Sequence, residues 1–139
     1  MTDEKRAKEI LSDEGLTLAL VKGELVYRST LRGVSPMVKF LTEGICLRGF
    51  FAADKVVGKA AAMLFILAGV NGVYSDVMTR EAEKVLVKYG ISAFYGTLAD
   101  KIINRTGDDI CPMEKAVIGI EEPSEAFKAI VSTLEKLKK

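Results

Sequence analysis

From Ala53 to Gly69 the chain reads Ala-Asp-Lys-Val-Val-Gly-Lys-Ala-Ala-Ala-Met-Leu-Phe-Ile-Leu-Ala-Gly. Wound as one helix capped by Asp54, this stretch is apolar on every face, and beyond Lys55 beside the cap Lys59 is the one charge inside it. A helix with no polar face has to be surrounded by other elements, so the stretch predicts a central rod on which the rest of the chain packs. Its longest apolar run, residues 60–70, is far shorter than the ~20 residues that span a bilayer. A buried element of a water-soluble domain is therefore the expectation.

The remaining elements follow from caps and periodicity. Thr2 caps a first helix with Ala7, Ile10 and Leu11 on one face, and Gly15 stops it. Residues 16–21 and 24–29 read as a hairpin turning at Lys22-Gly23. Ser35 and Pro36 start a short helix over 37–43, ended by Gly44. Residues 73–78 read as a strand, and Thr79 caps a helix over 80–89 that Gly90 stops. Residues 91–95 form a fourth strand, and 97–110 are the least regular part of the chain. Cys111 and Pro112 open another helix, and Pro123 opens a last one with Phe127, Ile130, Val131, Leu134 and Leu137 on one face. A hairpin followed by strands alternating with helices predicts a single α/β domain over 1–139, with helices on a mixed sheet of four to five strands.

Composition narrows the chemistry. Twenty basic and nineteen acidic side chains leave a net charge of +1, which gives no broad field for nucleic acid or an acidic membrane. The polar start, residues 1–6, lacks the apolar segment of a secretory signal. Two cysteines without an export signal read as free thiols, so a cytoplasmic protein is expected. The chain has no histidine. That removes Ser-His-Asp and Cys-His nucleophile pairs, histidine-ligated zinc and imidazole acid–base catalysis.

Three places carry candidate chemistry. An ammonium at the start of a buried helix opposes the macrodipole and is costly to desolvate, so Lys59 needs an anionic partner. That partner is either a carboxylate of the chain or the phosphate or carboxylate of a ligand, approaching the helix N-terminus over Gly58. The bland alternative is a lysine that reaches solvent or pairs with Asp54, with Gly58 serving close packing. Cys111, at a helix cap, is the candidate nucleophile or redox thiol; the alternative is a buried, inert cysteine. The loop Asn104-Arg105-Thr106-Gly107-Asp108-Asp109 offers a guanidinium, an amide and two carboxylates, or else is a solvated turn. The candidate ligand-binding set is Asp54, Lys55, Gly58 and Lys59 at the central element, Arg48 before it, Asn104, Arg105 and Asp108 in the loop, and Glu114 after it.

The order helix, hairpin, buried helix, strand, helix, strand, helix resembles the cytidine-deaminase-like fold, a three-layer α/β/α architecture with helices on both sheet faces. The run from Tyr74 through Thr79-Arg80-Glu81-Ala82 to Phe94-Tyr95-Gly96 is similar to the deaminase segment that contains Pro-Cys-x-x-Cys. The segment from Gly58 is similar to the helix that carries His-x-Glu. With Asp54–Ala62 and Cys111–Glu114, the chain more narrowly resembles a small uncharacterised prokaryotic family of that fold class. Zinc deaminases hold the metal with a His or Cys and two further cysteines, and move protons with a Glu. Here the first motif region reads Val57-Gly58-Lys59-Ala60, and Thr79 and Ala82 stand where the cysteines belong. The resemblance therefore implies a fold and a cleft without zinc or another cofactor. Its occupant is expected to be a small anionic ligand such as a nucleotide or nucleoside derivative. Alternatives are a Cys111-dependent enzyme, and a non-catalytic protein that keeps a homo-oligomer interface.

Overall fold

The computed structural model describes residues 2–102 and 111–137. The elements in chain order are α1 (Asp3–Asp13), β1 (Leu18–Lys22), β2 (Leu25–Ser29), α2 (Ser35–Thr42), β3 (Phe51–Val57), α3 (Lys59–Ala68), β4 (Gly72–Thr79), α4 (Arg80–Lys88), β5 (Ser92–Ala99), α5 (Pro112–Ala116) and α6 (Pro123–Leu137). The five strands form one mixed sheet in the order β2-β1-β3-β4-β5. β1 pairs antiparallel with both β2 and β3, whereas β3, β4 and β5 are mutually parallel.

Two parallel crossovers, β3-α3-β4 and β4-α4-β5, advance in the same direction and so place both helices on one side of the sheet. The main core lies there: Leu18, Leu20, Ala52 and Val73 from the sheet meet Met63, Leu64, Phe65, Ala82, Leu86 and Ile130. On the opposite side α1 lays Ala7 and Leu11 over Ala19, Val21, Phe51 and Ala53. The architecture is three-layer-like, with α1 as the thin layer.

α3 explains the apolar stretch, with a correction. The single rod expected over 53–69 is two elements. Phe51–Val57 is the central strand, and the helix begins only at Lys59 with Gly58 at its cap. Asp54 therefore caps nothing and sits inside β3. A strand covered on both faces shows no alternation, so its apolar residues merge with those of the helix behind it. α3 is buried from Lys59 through Phe65 because α2, α4, α5 and α6 all pack around it as well as the sheet.

Smaller boundaries also move. The hairpin turns at Gly23-Glu24, and Lys22 pairs with Leu25 inside the ladder. Positive φ at Gly23 and negative φ at Glu24 fit a type II′ turn, which takes Gly at its first central position. α2 begins at Ser35 after Val34, and β5 continues through Ala99 into the region expected to be irregular. Thr2 and Thr79 cap α1 and α4 as the sequence predicts, accepting from Lys5 and Ala82 amides.

The parallel strands share a kink. Ala52 and Val57 both face the main core, as do Val73 and Met78, although five residues separate each pair. Regular strands put residues five apart on opposite faces. The pairing skips Lys55, Asp76 and Gly96 at one level across β3, β4 and β5. Peptide groups released by this kink are taken by two buried side chains. The Asp54 carboxyl accepts the Lys55 N–H at 2.8 Å, and the Ser75 hydroxyl lies within bonding reach of the Lys55 and Val77 carbonyls.

Candidate functional site

β3, β4 and β5 all end on one edge of the sheet, and each end feeds the same crevice. Gly58 and Lys59 follow β3, Thr79 ends β4, and Asp100 and Lys101 follow β5. Glu81, Ile102, Glu114 and Ile118 complete a hollow of about 270 Å³. A second hollow of about 230 Å³ adjoins it along Met63, Lys84, Lys88, Tyr89 and Glu121, and shares Lys59 and Glu81. Open parallel sheets bind their ligands beyond the carboxyl ends of the strands, and this crevice has that position.

Lys59 lies between the two hollows. Its side chain is buried, and Nζ donates to the Val117 carbonyl at 2.9 Å and approaches Glu81 Oε1 at 3.5 Å. The anionic partner that its burial demands thus comes from the first turn of α4. Asp54, the partner considered from sequence, has other contacts. Glu81 was invisible as a site residue because its role depends on two helix N-termini lying side by side.

The α3 N-terminus also has its anion. Glu114 reaches across from α5 and accepts the Lys59 N–H on Oε1 at 2.9 Å and the Ala60 N–H on Oε2 at 2.8 Å. Two amides that an open helix end would offer a ligand are held by the chain's own carboxylate. Burial pushes the Glu114 carboxyl above its ordinary pKa. The two amides and Lys59 pull the other way, and Glu81 adds to the rise. Gly58 makes the arrangement possible. A Cβ there would stand 2.2 Å from Glu114 Oε1 and 2.6 Å from Ile102 Cδ1, so no larger residue fits the present packing.

Other candidates are elsewhere. Asp54 is buried in β3, and desolvation raises its carboxyl to a pKa of about 8 despite two backbone amides that oppose the rise; nearby Asp76 adds to it. Lys55 is exposed and pairs with Asp76 at 3.6 Å. Arg48 lies at the opposite end of β3, against Gly69 at the far end of α3, and its carbonyl takes the Lys22 ammonium. Exposed Cys46 lies beside it in sequence, so neither faces the crevice. Cys111 is a free thiol at the cap of the five-residue α5, with no cap hydrogen bond from its side chain. It borders a small apolar hollow with Val34, Val56, Ala61 and Met113. Asn104, Arg105 and Asp108 lie outside the described residues. Of the sequence candidates, the structure brings together Gly58, Lys59 and Glu114, and it adds Glu81, Asp100 and Lys101.

Among the described residues, no group of three or more Cys, Asp or Glu side chains is placed to hold a metal ion, and no helix is long and apolar enough to cross a membrane.

The sheet and its edge crevice define a class, the α/β domains with a polar hollow beyond three parallel strands. Within it the chain belongs to the DUF1893 family, a domain of unknown function (TM1506) whose family model matches residues 6–134. It is similar to the crystal structure of a DUF1893 family protein (TM1506) from Thermotoga maritima, with a TM-score of 0.84 and 27% identity over 92% of this chain and 87% of that one. No curated protein matches the chain.

Proposed function

We propose that the chain is a metal-free domain of the cytidine-deaminase-like fold that binds a nucleoside-type ligand, free or phosphorylated, in the edge crevice. The observation that carries this reading is the convergence of Lys59, Thr79, Glu81, Lys101 and Glu114 on one hollow beyond the parallel strands. The strand order and the pair of crossovers support the fold resemblance. So does the meeting of α3 and α4, the two helices that carry the metal motifs in deaminases, at the Lys59–Glu81 contact.

The donor set does not fit zinc. Gly58, Lys59, Thr79 and Ala82 offer neither thiolate nor imidazole, and the Lys59 ammonium would repel a cation. What remains is recognition. Carboxylates of Glu81 and Glu114 can accept from an amino group or a sugar hydroxyl, Thr79 can donate or accept, and Ile102 and Ile118 give apolar walls. A ligand's anionic group would be met by Lys101 and Lys59, because Glu114 already holds the α3 amides.

The test is calorimetric titration with nucleosides and their mono- and diphosphates. Binding of at least one is expected, and Lys101→Ala should weaken the phosphorylated ligands selectively, since Lys101 is exposed and its loss spares the fold. Lys59→Met should weaken all of them. It should also cost about 1–3 kcal/mol of stability by stranding the buried Val117 carbonyl. Absence of binding across the panel, or binding that both variants leave unchanged, would overturn the reading.

A further inference from the structure

The second hollow has contents that a single nucleoside in the first would leave unused. α4 turns Glu81, Lys84, Val85 and Lys88 toward it, spaced as one face of a helix. Glu81 is placed to pair with Lys84 three residues on, but its carboxylate is turned to Lys59. Among the described residues, neither Lys84 nor Lys88 forms an ion pair. Lys88 suits the negative end of α4, whereas Lys84, in mid-helix, has no such explanation. Like charges four residues apart on one helix face repel, and an anion between them would reverse that cost.

Beside the lysines the lining is apolar. Met63 from α3, Val85 from α4 and Ile120 line this part with the ring of Tyr89, whose hydroxyl donates to the Glu121 carbonyl at 3.4 Å. Lys88 Nζ stands 5.9 Å from the centre of that ring. A thioether, two aliphatic side chains and a phenol ring suit the faces of a planar group and offer little to phosphate oxygens. Lysines next to them suit a phosphate attached to that planar group. The charges agree. Apart from the shared Lys59 and Glu81, the first hollow has Lys101 against Asp100 and Glu114, and the second has Lys84 and Lys88 against Glu121.

Size points the same way. The hollows, of about 270 and 230 Å³, each fall below the ~300 Å³ at which small-molecule sites begin, and joined at Lys59 and Glu81 they come within that range. We infer that the ligand is a dinucleotide, two nucleosides joined through their phosphates with one in each hollow, an inference that rests on the nucleoside reading of the crevice. The second nucleoside lies against Met63, Tyr89 and Ile120. The phosphate bridge crosses at Lys59, with Lys101 on one side of the crossing and Lys84 and Lys88 on the other.

Calorimetric titration with the 5′,5′-dinucleoside diphosphates of adenine, guanine, cytosine and uracil tests this, each beside its own nucleoside 5′-diphosphate. The dinucleotide carries less negative charge, because the second ester replaces an ionisable oxygen, so tighter binding cannot come from charge. At least one dinucleotide is expected to bind one per chain, and at least about tenfold tighter than its nucleoside diphosphate. Tyr89→Leu should abolish that advantage. The double variant Lys84→Gln/Lys88→Gln, both positions being exposed, should weaken dinucleotide and diphosphate alike relative to the free nucleoside. Nucleoside diphosphates that bind while dinucleotides bind no tighter would overturn the dinucleotide and leave the nucleoside reading standing. So would a dinucleotide shared between two chains, an advantage that survives Tyr89→Leu, or phosphate binding indifferent to the lysine variant. No binding by any member of the series would overturn both.

Discussion

Asp54→Asn is expected to gain stability relative to the native protein as pH rises from about 4 to about 8, and to hold a constant advantage above that. Burial keeps the Asp54 carboxyl protonated in the fold up to about pH 8, against 3.8 as its ordinary value. Between those values the folded chain carries a proton that the unfolded chain has released. Stability from this group is therefore fully present below the unfolded pKa and is lost as pH climbs to the folded one. At about 1.4 kcal/mol per pH unit, the whole interval amounts to at most about 6 kcal/mol. Asparagine has no proton to lose and can still accept the Lys55 amide through its side-chain oxygen. The difference between variant and native protein, from denaturant titrations at matched pH, isolates Asp54 because Glu114 and every other group are common to both. A flat difference would mean that the two amide hydrogen bonds keep Asp54 ionised in spite of its burial.

Gly58→Ala is expected to destabilise the protein by about 2–4 kcal/mol, combining the strain of overpacking with the loss of a helix cap. The backbone itself raises no objection, since φ −102° and ψ −174° suit alanine. The cost comes from the Glu114 carboxylate, which the added methyl group must push off the Lys59 and Ala60 amides. That origin makes the effect conditional. With Glu114→Ala already in place, which alone should cost about 1–2 kcal/mol, the methyl group has only the mobile tip of Ile102 to displace. The second substitution should then cost clearly less than the first. Additive costs in the double-mutant cycle would show that Gly58 is needed for some reason other than Glu114.

Much of the fold is legible in the sequence because local rules and tertiary structure agree there. Thr2 and Thr79 act as caps, Gly15 and Gly90 stop helices, and α4 and α6 show a buried stripe at helical spacing, although Leu137, expected on that stripe, is exposed at the end of α6. β3 fails for a physical reason. Its residues combine a double-sided burial, which erases alternation, with Asp54 and Lys55, which look like the start of a helix. The Asp54 carboxyl does bind free amides, as a cap would, but they are amides of a kinked strand. At the site, the oddity of Lys59 and Gly58 is readable, and so is the demand for an anion at each. The identity of those anions is not, because Glu81 and Glu114 reach the start of α3 only through the fold, the latter from 55 residues away.

α3 has a consequence for how the chain comes to be folded. The most apolar segment is wrapped partly by α6, an element made long after it during synthesis. While the polypeptide grows, the side of α3 that α6 covers therefore has no cover until α6 has been made. Nascent chains halted before residue 123 should expose that side to hydrophobic chaperones, and chains halted after α6 has emerged should not. That outcome would make docking of α6 the closing step of assembly.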